Sequence, residues 1–305
     1  MLSVFLSVLP IFLLIVTGYV AKRWFVRDEQ VWGYFEKLTY YLFFPALLIN
    51  ELSKSNFNQA NTSEAVIATV AATLVVAVLI FISKRLFSID DALFTSIFQG
   101  GVRYNSYVFI AMSQSLYGTE GVALSGIFIA YMIVLTNILS VIVMNTYGEG
   151  SKKSLRGAAV ALMKNPLIVS ALLGLVLNAA GFRPAGAIAD YLGYLAHAAT
   201  PLSLMAVGAG LIVVMDAQKV AATLYSVVLK LLAMPAFTLV FIKVFAATGL
   251  AANIALLYAA VPCAGNAYIL ARQMGGDAES MASIITWTTV FSALTITLLL
   301  GGGII

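Results

Sequence analysis

The stretch GGVRYNSYVFIAM (Gly100–Met112) lies inside an apolar region long enough to span a lipid bilayer. It nevertheless opens with two glycines and then carries Arg103 and Asn105. A charge at such a depth is costly and by default indicates a functional site. A second polar interruption, VPCAGNAYIL (Val261–Leu270), lies in another apolar region of the second half of the chain. These two interruptions decide the predicted fold.

The composition indicates an all-α polytopic membrane protein. Of 305 residues, 62% are hydrophobic and 10% are charged, whereas soluble domains carry about 25% charged residues. Apolar runs of roughly 20 residues recur, and the alternating segments of about 10 residues that a transmembrane β-barrel needs are missing. With one cysteine, Cys263, the sequence excludes an internal disulfide and a cysteine-based metal cluster, and we expect no metal site and no cofactor. No basic run is interleaved with aromatic residues, so a nucleic-acid partner is not expected.

Apolar runs separated by charged or Gly/Asn/Asp-rich breaks predict ten spanning helices. These spans, numbered 1 to 10 in chain order, are 3–22, 31–51, 64–83, 91–116, 120–146, 157–180, 186–214, 219–246, 251–274 and 278–301. The N-terminal run has no basic residues before it and is followed by Lys22 and Arg23, which is typical of a spanning helix and not of a signal peptide. Spans 4 and 9 are interrupted by glycine, proline and polar residues.

The basic residues predict the orientation. Odd-numbered connections with their flanks hold Lys22, Arg23, Arg27, Lys84, Arg85, Lys152, Lys153, Arg156, Lys164, Lys219 and Arg272. Even-numbered connections hold only Lys54 and Arg183. This positive-inside bias places the odd connections in the cytoplasm. We therefore expect a multi-pass protein of the plasma (inner) membrane with both termini on the outer side.

An internal repeat divides the chain into two halves, residues 1–150 and 151–305, of five helices each. Three pairs share an offset of 156 residues, namely Pro10 with Pro166, Gly18 with Gly174, and Pro45 with Pro201. The pentapeptides NSYVF (Asn105–Phe109) and NAYIL (Asn266–Leu270) also correspond. Because five is odd, the two halves must have opposite orientations. Inverted repeats with discontinuous helices in matching positions are typical of secondary transporters with a site near the midplane.

The interruptions predict two discontinuous helices, spans 4 and 9, that cross at the midplane. We expect the helical hydrogen bonds to stop around Gly100–Gly101 and around Pro262, which lacks an N–H group. Asn105 and Asn266 suit the start of each second half-helix, since asparagine is a strong N-cap. Two half-helix N-termini would then meet, and their free N–H groups and dipoles favour an anion. Arg103 adds a full positive charge.

The predicted substrate-binding residues follow from this geometry: Asn105, Asn266, Arg103, Pro262, Gly101, Gly265 and Ser106. Three structural alternatives remain open. The two asparagines are caps and nothing more; the glycines merely allow close helix packing; or Arg103 pairs within the protein and does not touch substrate.

Three further polar residues are candidates for a proton or counter-ion relay. Lys230 lies about eleven residues inside span 8 and needs a carboxylate or carbonyl partner, so a purely structural pairing is the alternative. Glu64 opens span 3, where it either complements the helix dipole or pairs with Lys230. His197, the one histidine, lies within span 7 and is either a packing residue or a proton carrier.

The chain resembles the auxin efflux carrier family in its bacterial branch. The motifs that carry the resemblance are YYLFFPALLIN (Tyr40–Asn50), the Arg-x-Asn of span 4 (Arg103–Asn105), VPCAGNAYILARQMGGDAE (Val261–Glu279) and TVFSALTITLL (Thr289–Leu299). The resemblance implies two inverted five-helix repeats, with a scaffold of spans 1, 2, 6 and 7 that commonly forms a homodimer. Spans 3–5 and 8–10 would be a transport domain with an elevator movement. It implies organic-anion substrates, such as auxin in plants and malate or malonate in bacteria. Asn105, Pro262 and Asn266 are the residues matched at the crossing, whereas the proline that plant members have in span 4 is absent here.

Together these patterns predict a secondary transporter, an elevator-type carrier for a small organic anion such as a carboxylate or an auxin-like acid. Efflux of an anion needs no coupling ion, whereas uptake needs one, with H⁺ favoured over Na⁺. The alternative within the class is a sodium- or proton-coupled symporter of the bile-acid type. An intramembrane enzyme is not expected, since all six aspartates lie at or near span ends and there is one histidine. A channel is disfavoured by the paired broken helices.

Overall fold

The computed structural model describes residues 2–54, 62–149, 160, 163–211 and 219–301. The described part of the chain is helical throughout, with short connections and no β-strand. The helices are α1 (Leu2–Trp24), α2 (Glu29–Leu38), α3 (Phe44–Lys54), α4 (Thr62–Phe87), α5 (Asp91–Val102), α6 (Ser106–Tyr147), α7 (Pro166–Ala179), α8 (Gly186–Ala209), α9 (Val220–Val228), α10 (Met234–Val244), α11 (Gly249–Ala260), α12 (Ala267–Met274) and α13 (Ala278–Gly301). The predicted basic positions Lys152, Lys153 and Arg156 lie outside the described residues.

Six of the described helical segments are long and apolar enough to cross a membrane. They are Val4–Trp24, Thr62–Phe87, Asp91–Tyr147, Gly186–Ala209, Val220–Val244 and Ala278–Gly301. Pro166–Ala179 and Gly249–Ala260 are shorter apolar helices. The chain is therefore a multi-pass membrane protein whose described ranges contain helices and no strands. The predicted start of span 6 at residue 157 lies outside the described residues, and α7 begins at Pro166, where the Asn165 side chain caps it.

Two π-helical turns lie inside long helices, and each precedes a proline. Thr39–Phe43 joins α2 to α3 and is followed by Pro45, and Leu229–Ala233 joins α9 to α10 and is followed by Pro235. A proline ring clashes with the carbonyl one turn earlier and donates no hydrogen bond. A wider turn relieves that clash without ending the helix, and such turns are frequent at functional sites.

Two close helix crossings depend on glycine. A Cβ atom on Gly18 of α1 would lie 1.9 Å from the carbonyl oxygen of Met205 in α8. A Cβ on Gly174 of α7 would lie 2.8 Å from the Cβ of Leu52 in α3. The two glycines of one predicted repeat pair thus allow two matching crossings, α1 on α8 and α7 on α3, which are the most extensive helix contacts in the described chain.

Both predicted discontinuous helices are interrupted. Helix α5 ends at Val102 and α6 begins at Ser106, while α11 ends at Ala260 and α12 begins at Ala267. We call residues 103–105 the first break and residues 261–266 the second break. A further kink at Gly118, with φ 61° and ψ −148°, divides α6 where spans 4 and 5 were expected to separate.

The position of the first break corrects one expectation. Gly100 and Gly101 do not interrupt the helix, because α5 continues through both to Val102. They allow close packing instead: a Cβ on Gly100 would lie 2.7 Å from Ile284, and one on Gly101 would lie 2.6 Å from Ile80. The packing alternative is therefore the observed one for these glycines, and Arg103, Tyr104 and Asn105 form the break.

Candidate functional site

The two breaks lie against each other. The backbone N–H of Asn105 donates to the carbonyl oxygen of Pro262 at 2.9 Å. The Cys263 thiol donates to the Gln99 carbonyl at 3.6 Å, and the Cys263 N–H donates to Thr288 Oγ1 at 3.3 Å. Backbone groups that would be costly to leave unpaired in lipid are thus satisfied, the Asn105 N–H and the Gln99 carbonyl by partners from the second half and the Cys263 N–H from within it.

The two asparagines of the repeated pentapeptide have different roles. Asn105, only 3% exposed, caps α6: its Oδ1 accepts from the backbone N–H of Tyr107 at 3.0 Å and of Val108 at 3.2 Å. Asn266 stands at the matching position of α12, but its side chain makes no cap hydrogen bond. Asn266 Oδ1 accepts instead from Arg103. The cap prediction is confirmed for Asn105 and wrong for Asn266.

Arg103 is held by three amide side chains. Its Nη1 donates to Gln99 Oε1 at 3.2 Å, and its Nη2 donates to Asn137 Oδ1 and Asn266 Oδ1, each at 3.1 Å. The residue is 7% exposed, and no carboxylate among the described residues forms an ion pair with it. Amides orient a guanidinium without cancelling its charge. Within the described ranges, the site therefore holds a fixed positive charge that no carboxylate pairs with.

A cavity of about 410 Å³ opens onto this cluster. Five of the predicted substrate-binding residues line it: Arg103, Asn105, Ser106, Gly265 and Asn266. Gly265 and Asn266 are exposed to it. The structure therefore brings the end of α5, the start of α6 and the second break together around one space.

Two predicted site residues do not line this cavity within the described chain. Gly101 is buried against Ile80 and Val76. Pro262 is buried as well, and it serves through its backbone, since its carbonyl accepts the Asn105 N–H. Both are part of the support of the breaks and are not part of the cavity wall.

The three candidate relay residues are not brought together. Glu64 lies in the first turn of α4 and accepts a hydrogen bond from Ser63. His197 is exposed on α8. Lys230 is completely buried in the second π-helical turn. Thr73, whose Oγ1 contacts Met234 Sδ at 3.9 Å, is nine residues beyond Glu64, a rise of roughly 14 Å. A direct pair between Glu64 and Lys230 is thus contradicted, since Lys230 Nζ makes no hydrogen bond in the described chain.

Three contributors to the site were missed from sequence. Gln99 lies four residues before Arg103. Side chains at this spacing are neighbours on one helix face, so the sequence could have indicated that Gln99 contacts Arg103. Asn137 is a polar residue in the middle of an apolar span, which is itself a signal. Arg272 lines the cavity six residues after Asn266, but the sequence gave it only as a basic residue flanking a connection.

The cavity rim carries a mixture of charges. Lys22 pairs with Glu29 at 3.3 Å, and both line the cavity together with Glu36 and Arg272. The Arg272 guanidinium lies 5.9 Å from the Tyr268 ring centroid. The deeper part of the cavity therefore has Arg103 as its charged group, while the rim has both signs.

An ion-pair cluster outside the membrane-spanning segments fixes the start of α13. Lys219 Nζ lies 3.3 Å from Asp277 and 3.0 Å from Glu279. Burial alone raises the pKa of the Asp277 carboxyl, but hydrogen bonds from Ser280 and Lys219 outweigh it and lower that pKa from its ordinary value. The Glu279 hydrogen bond raises the pKa of Lys219; burial opposes this, and the hydrogen bond and charge of Asp277 add to the increase. Ser96 Oγ also donates to the Asp277 carbonyl at 2.8 Å, which ties α5 to the second half.

The fold and the site together define a multi-pass membrane protein with a polar, positively charged cavity at two helix breaks. The chain belongs to the family described as membrane transport protein, whose model matches residues 3–300. This confirms the resemblance to the auxin efflux carrier family that the span 4 and span 9 motifs indicate.

Relatives are similar over almost their whole length. A protein of Rhizobium meliloti named "Putative malonate transporter" is 26% identical over 303 residues, covering 96% of this chain and 93% of the relative. An uncharacterized transporter of Methanocaldococcus jannaschii is 23% identical, covering 95% of this chain and 96% of the relative. An uncharacterized transporter of Methanothermobacter thermautotrophicus is 25% identical, with 96% of each chain covered. The family and these names indicate a transport role and not catalysis.

Proposed function

We propose that the protein is a secondary carrier of a small organic anion, and that the anion binds in the cavity against Arg103. The observation that carries this proposal is the state of Arg103, a buried guanidinium held by three amides and facing a cavity without an acidic partner among the described residues. A carboxylate is the natural partner for such a fork of donors. The N-terminal end of α6 at Asn105 adds a favourable dipole.

A dicarboxylate is the substrate class that this site fits best. Arg103 is the buried charged group of the cavity, and Arg272 lines the same cavity six residues, or about 9 Å of helical rise, beyond Asn266. Two guanidinium groups in one cavity suit two carboxylates. The name of the Rhizobium meliloti relative supports a short dicarboxylate such as malonate as the first probe.

An inward-open state is supported by the elements around the cavity mouth. Lining residues at helix ends include Lys22, Glu29, Asn165, Gly210 and Arg272. All of them belong to odd-numbered connections or their flanks, which the basic-residue bias assigns to the cytoplasm. With this orientation both termini face outward, in the inner membrane. In this state, substrate exchanges with the cytoplasmic side.

An elevator movement of a two-part, ten-helix inverted repeat would move this site across the membrane. Helices α1, α3, α7 and α8 pack on one another, and α4, α5, α9, α10, α11 and α13 form a second packed group that holds the breaks. The matching crossings at Gly18 and Gly174 support the inverted repeat. The first group would act as the scaffold and as the contact surface of a homodimer, and the second would act as the transport domain.

Counterflow in proteoliposomes tests the proposal. Vesicles preloaded with unlabelled malonate should take up labelled malonate faster than empty vesicles. Preloaded succinate or malate should also drive this uptake, and should do so better than preloaded acetate. A neutral solute of similar size, such as glycerol, is the control and should not exchange. Na⁺-dependent transport of a neutral solute, without carboxylate exchange, would contradict the proposal and favour the sodium-coupled alternative.

A further inference from the structure

Lys230 has an unusual environment for a charged side chain. It is 0% exposed and lies in the π-helical turn Leu229–Ala233. Its Nζ makes no hydrogen bond in the described chain, and its defined contact is the ring of Tyr258, 5.5 Å from Nζ to the centroid. A buried ammonium without hydrogen-bond acceptors is strongly disfavoured. This residue is therefore placed where a neutral amine is tolerated and a charge needs compensation.

The buried charge of the described chain is entirely positive. Arg103 and Lys230 are its two buried ionisable residues with a formal charge, and no aspartate or glutamate among the described residues is buried. The Tyr258 ring, which lies 5.5 Å from Lys230 Nζ, is 4.4 Å from the ring of Tyr104, the residue that follows Arg103 in the first break. A guanidinium cannot lose its proton in a protein, whereas an amine can. Lys230 is thus the group whose charge can change.

Resting on the proposed function, we propose that Lys230 is the binding site of a proton that is co-transported with a dianionic substrate. In the loaded state, water outside the protein supplies H⁺ to the Nζ lone pair, and the resulting ammonium adds a second buried positive charge to that of Arg103, while Arg272 lies at the exposed rim of the cavity. After the substrate has left, the ammonium returns the proton to water and Lys230 is neutral again. No other bond forms or breaks, so charge and protons balance over the cycle.

The neighbouring groups favour Lys230 as the single titrating site. On the elements packed against its turn, the ionisable side chains nearby are Tyr225 of α9, Tyr258 of α11 and Cys263 of the second break, and none of them is a carboxylate. Helix α5 contributes Asp91 and α13 contributes Glu279, but both lie in first turns and are paired with Lys84 and Lys219. None of these groups offers Lys230 a fixed counter-charge.

Two substitutions separate the charge of Lys230 from its ability to exchange a proton. Lys230→Arg keeps a permanent positive charge, and Lys230→Met keeps an apolar side chain of similar length. Each purified variant, together with the native protein, is reconstituted in proteoliposomes with the membrane voltage clamped by a potassium ionophore. Malonate uptake and internal pH, followed with a trapped pH-sensitive dye, are measured with and without an acid-outside gradient at pH values where malonate is a dianion.

The native protein is expected to accumulate malonate only with the acid-outside gradient and to acidify the vesicle interior as malonate enters. Lys230→Arg should retain malonate counterflow within about threefold of native but lose gradient-driven accumulation and proton entry. Lys230→Met should lose both accumulation and most counterflow. Arg85→Met, a change at an exposed position near the end of α4, is the control and should behave as native.

Malonate uptake without proton entry in the native protein would overturn the proposal, as would gradient-driven accumulation that survives in Lys230→Arg. Both results leave malonate counterflow intact, so they are distinct from a failure of the proposed function, in which the native protein shows no carboxylate counterflow. Because the first of these measurements uses the native protein, the proposal stays testable even if neither variant folds.

Discussion

The first break and the second break are built from similar sequences and hold different parts of the site. The first break spans three residues, is closed by the Asn105 cap and carries the buried Arg103. The second break spans six residues, has no side-chain cap and leaves Asn266 exposed to the cavity. The first break thus carries the Arg103 charge on a capped helix end. The second break lines the cavity and orients that charge through Asn266. The difference shows that a repeated asparagine need not keep one role.

The largest expected effect tests whether the first break supplies the binding charge. Arg103→Ala should reduce malonate counterflow by about 100-fold, because it removes a charged hydrogen-bond donor worth roughly 2–3 kcal/mol to a carboxylate. Arg103→Lys should recover part of this loss, since a point charge remains without the fork geometry. Arg85→Ala, on the exposed end of α4, is the matched control. Normal transport by Arg103→Ala would place the substrate elsewhere.

The next effect tests where the first break begins. A methyl group at position 100 would press on Ile284, so Gly100→Ala should lower the free energy of unfolding by about 2 kcal/mol through overpacking. Gly101→Ala meets only the flexible end of Ile80, and alanine favours a helix by about 1 kcal/mol, so it should be nearly neutral. Thermal melts in detergent compare the two. Equal, severe losses at both positions would indicate that the glycines themselves form the break.

A smaller effect distinguishes the two asparagines. Asn105→Ala should lower the free energy of unfolding by about 1 kcal/mol, since α6 loses its cap. Asn266→Ala should leave the melting temperature within the error of native but weaken malonate binding about tenfold, because Arg103 loses one of its three acceptors. Melting curves and binding isotherms are measured on the same preparations. The opposite pattern, with only Asn266→Ala destabilised, would reverse the assigned roles.

The smallest effect concerns the ion-pair cluster of Lys219, Asp277 and Glu279 at the start of α13. Because the folded state lowers the pKa of Asp277, this carboxylate stabilises the fold above the ordinary pKa of aspartate, about 3.9, and the contribution is lost as pH falls through its lowered value. Asp277→Asn should cost less than about 1 kcal/mol near neutral pH, as expected for a partly exposed ion pair. The variant should also show a flatter fall in melting temperature between about pH 5 and pH 3. A native-like acid profile in the variant would assign the pH dependence to other groups.

The helices and the existence of two breaks were predictable because they depend on local patterns. Apolar runs and glycine or proline interruptions are visible over windows of about 20 residues, and the helix ends lie close to the predicted ones. The exact break in span 4 was misplaced by three residues because two adjacent glycines resemble a helix end. In the fold they allow Ile284 and Ile80 to approach, a tertiary reason that the local sequence does not contain.

The side-chain contacts of the site were less predictable, since they join distant residues. Arg103 and Asn266 were both candidates, but their hydrogen bond, across 163 positions, is visible only in three dimensions. Asn137 entered the site from the far half of α6, again through tertiary contact. Lys230 was predicted to be a deep charge, and the structure buries it, whereas Glu64, one of its two alternatives being a pair with Lys230, accepts from Ser63 instead.

The hydrogen bond from Asn105 to Pro262 has a consequence for biosynthesis. The donor is translated and inserted long before its acceptor, with 157 positions of chain between them (262 − 105), so the nascent first half enters the bilayer with an unsatisfied backbone N–H at its interrupted helix. That group must be shielded by water, by the insertion machinery or by a temporary neighbour until the second half arrives. The second half therefore supplies a hydrogen-bond acceptor that the first half needs. In a chain truncated before residue 262, the Asn105 N–H has no native acceptor.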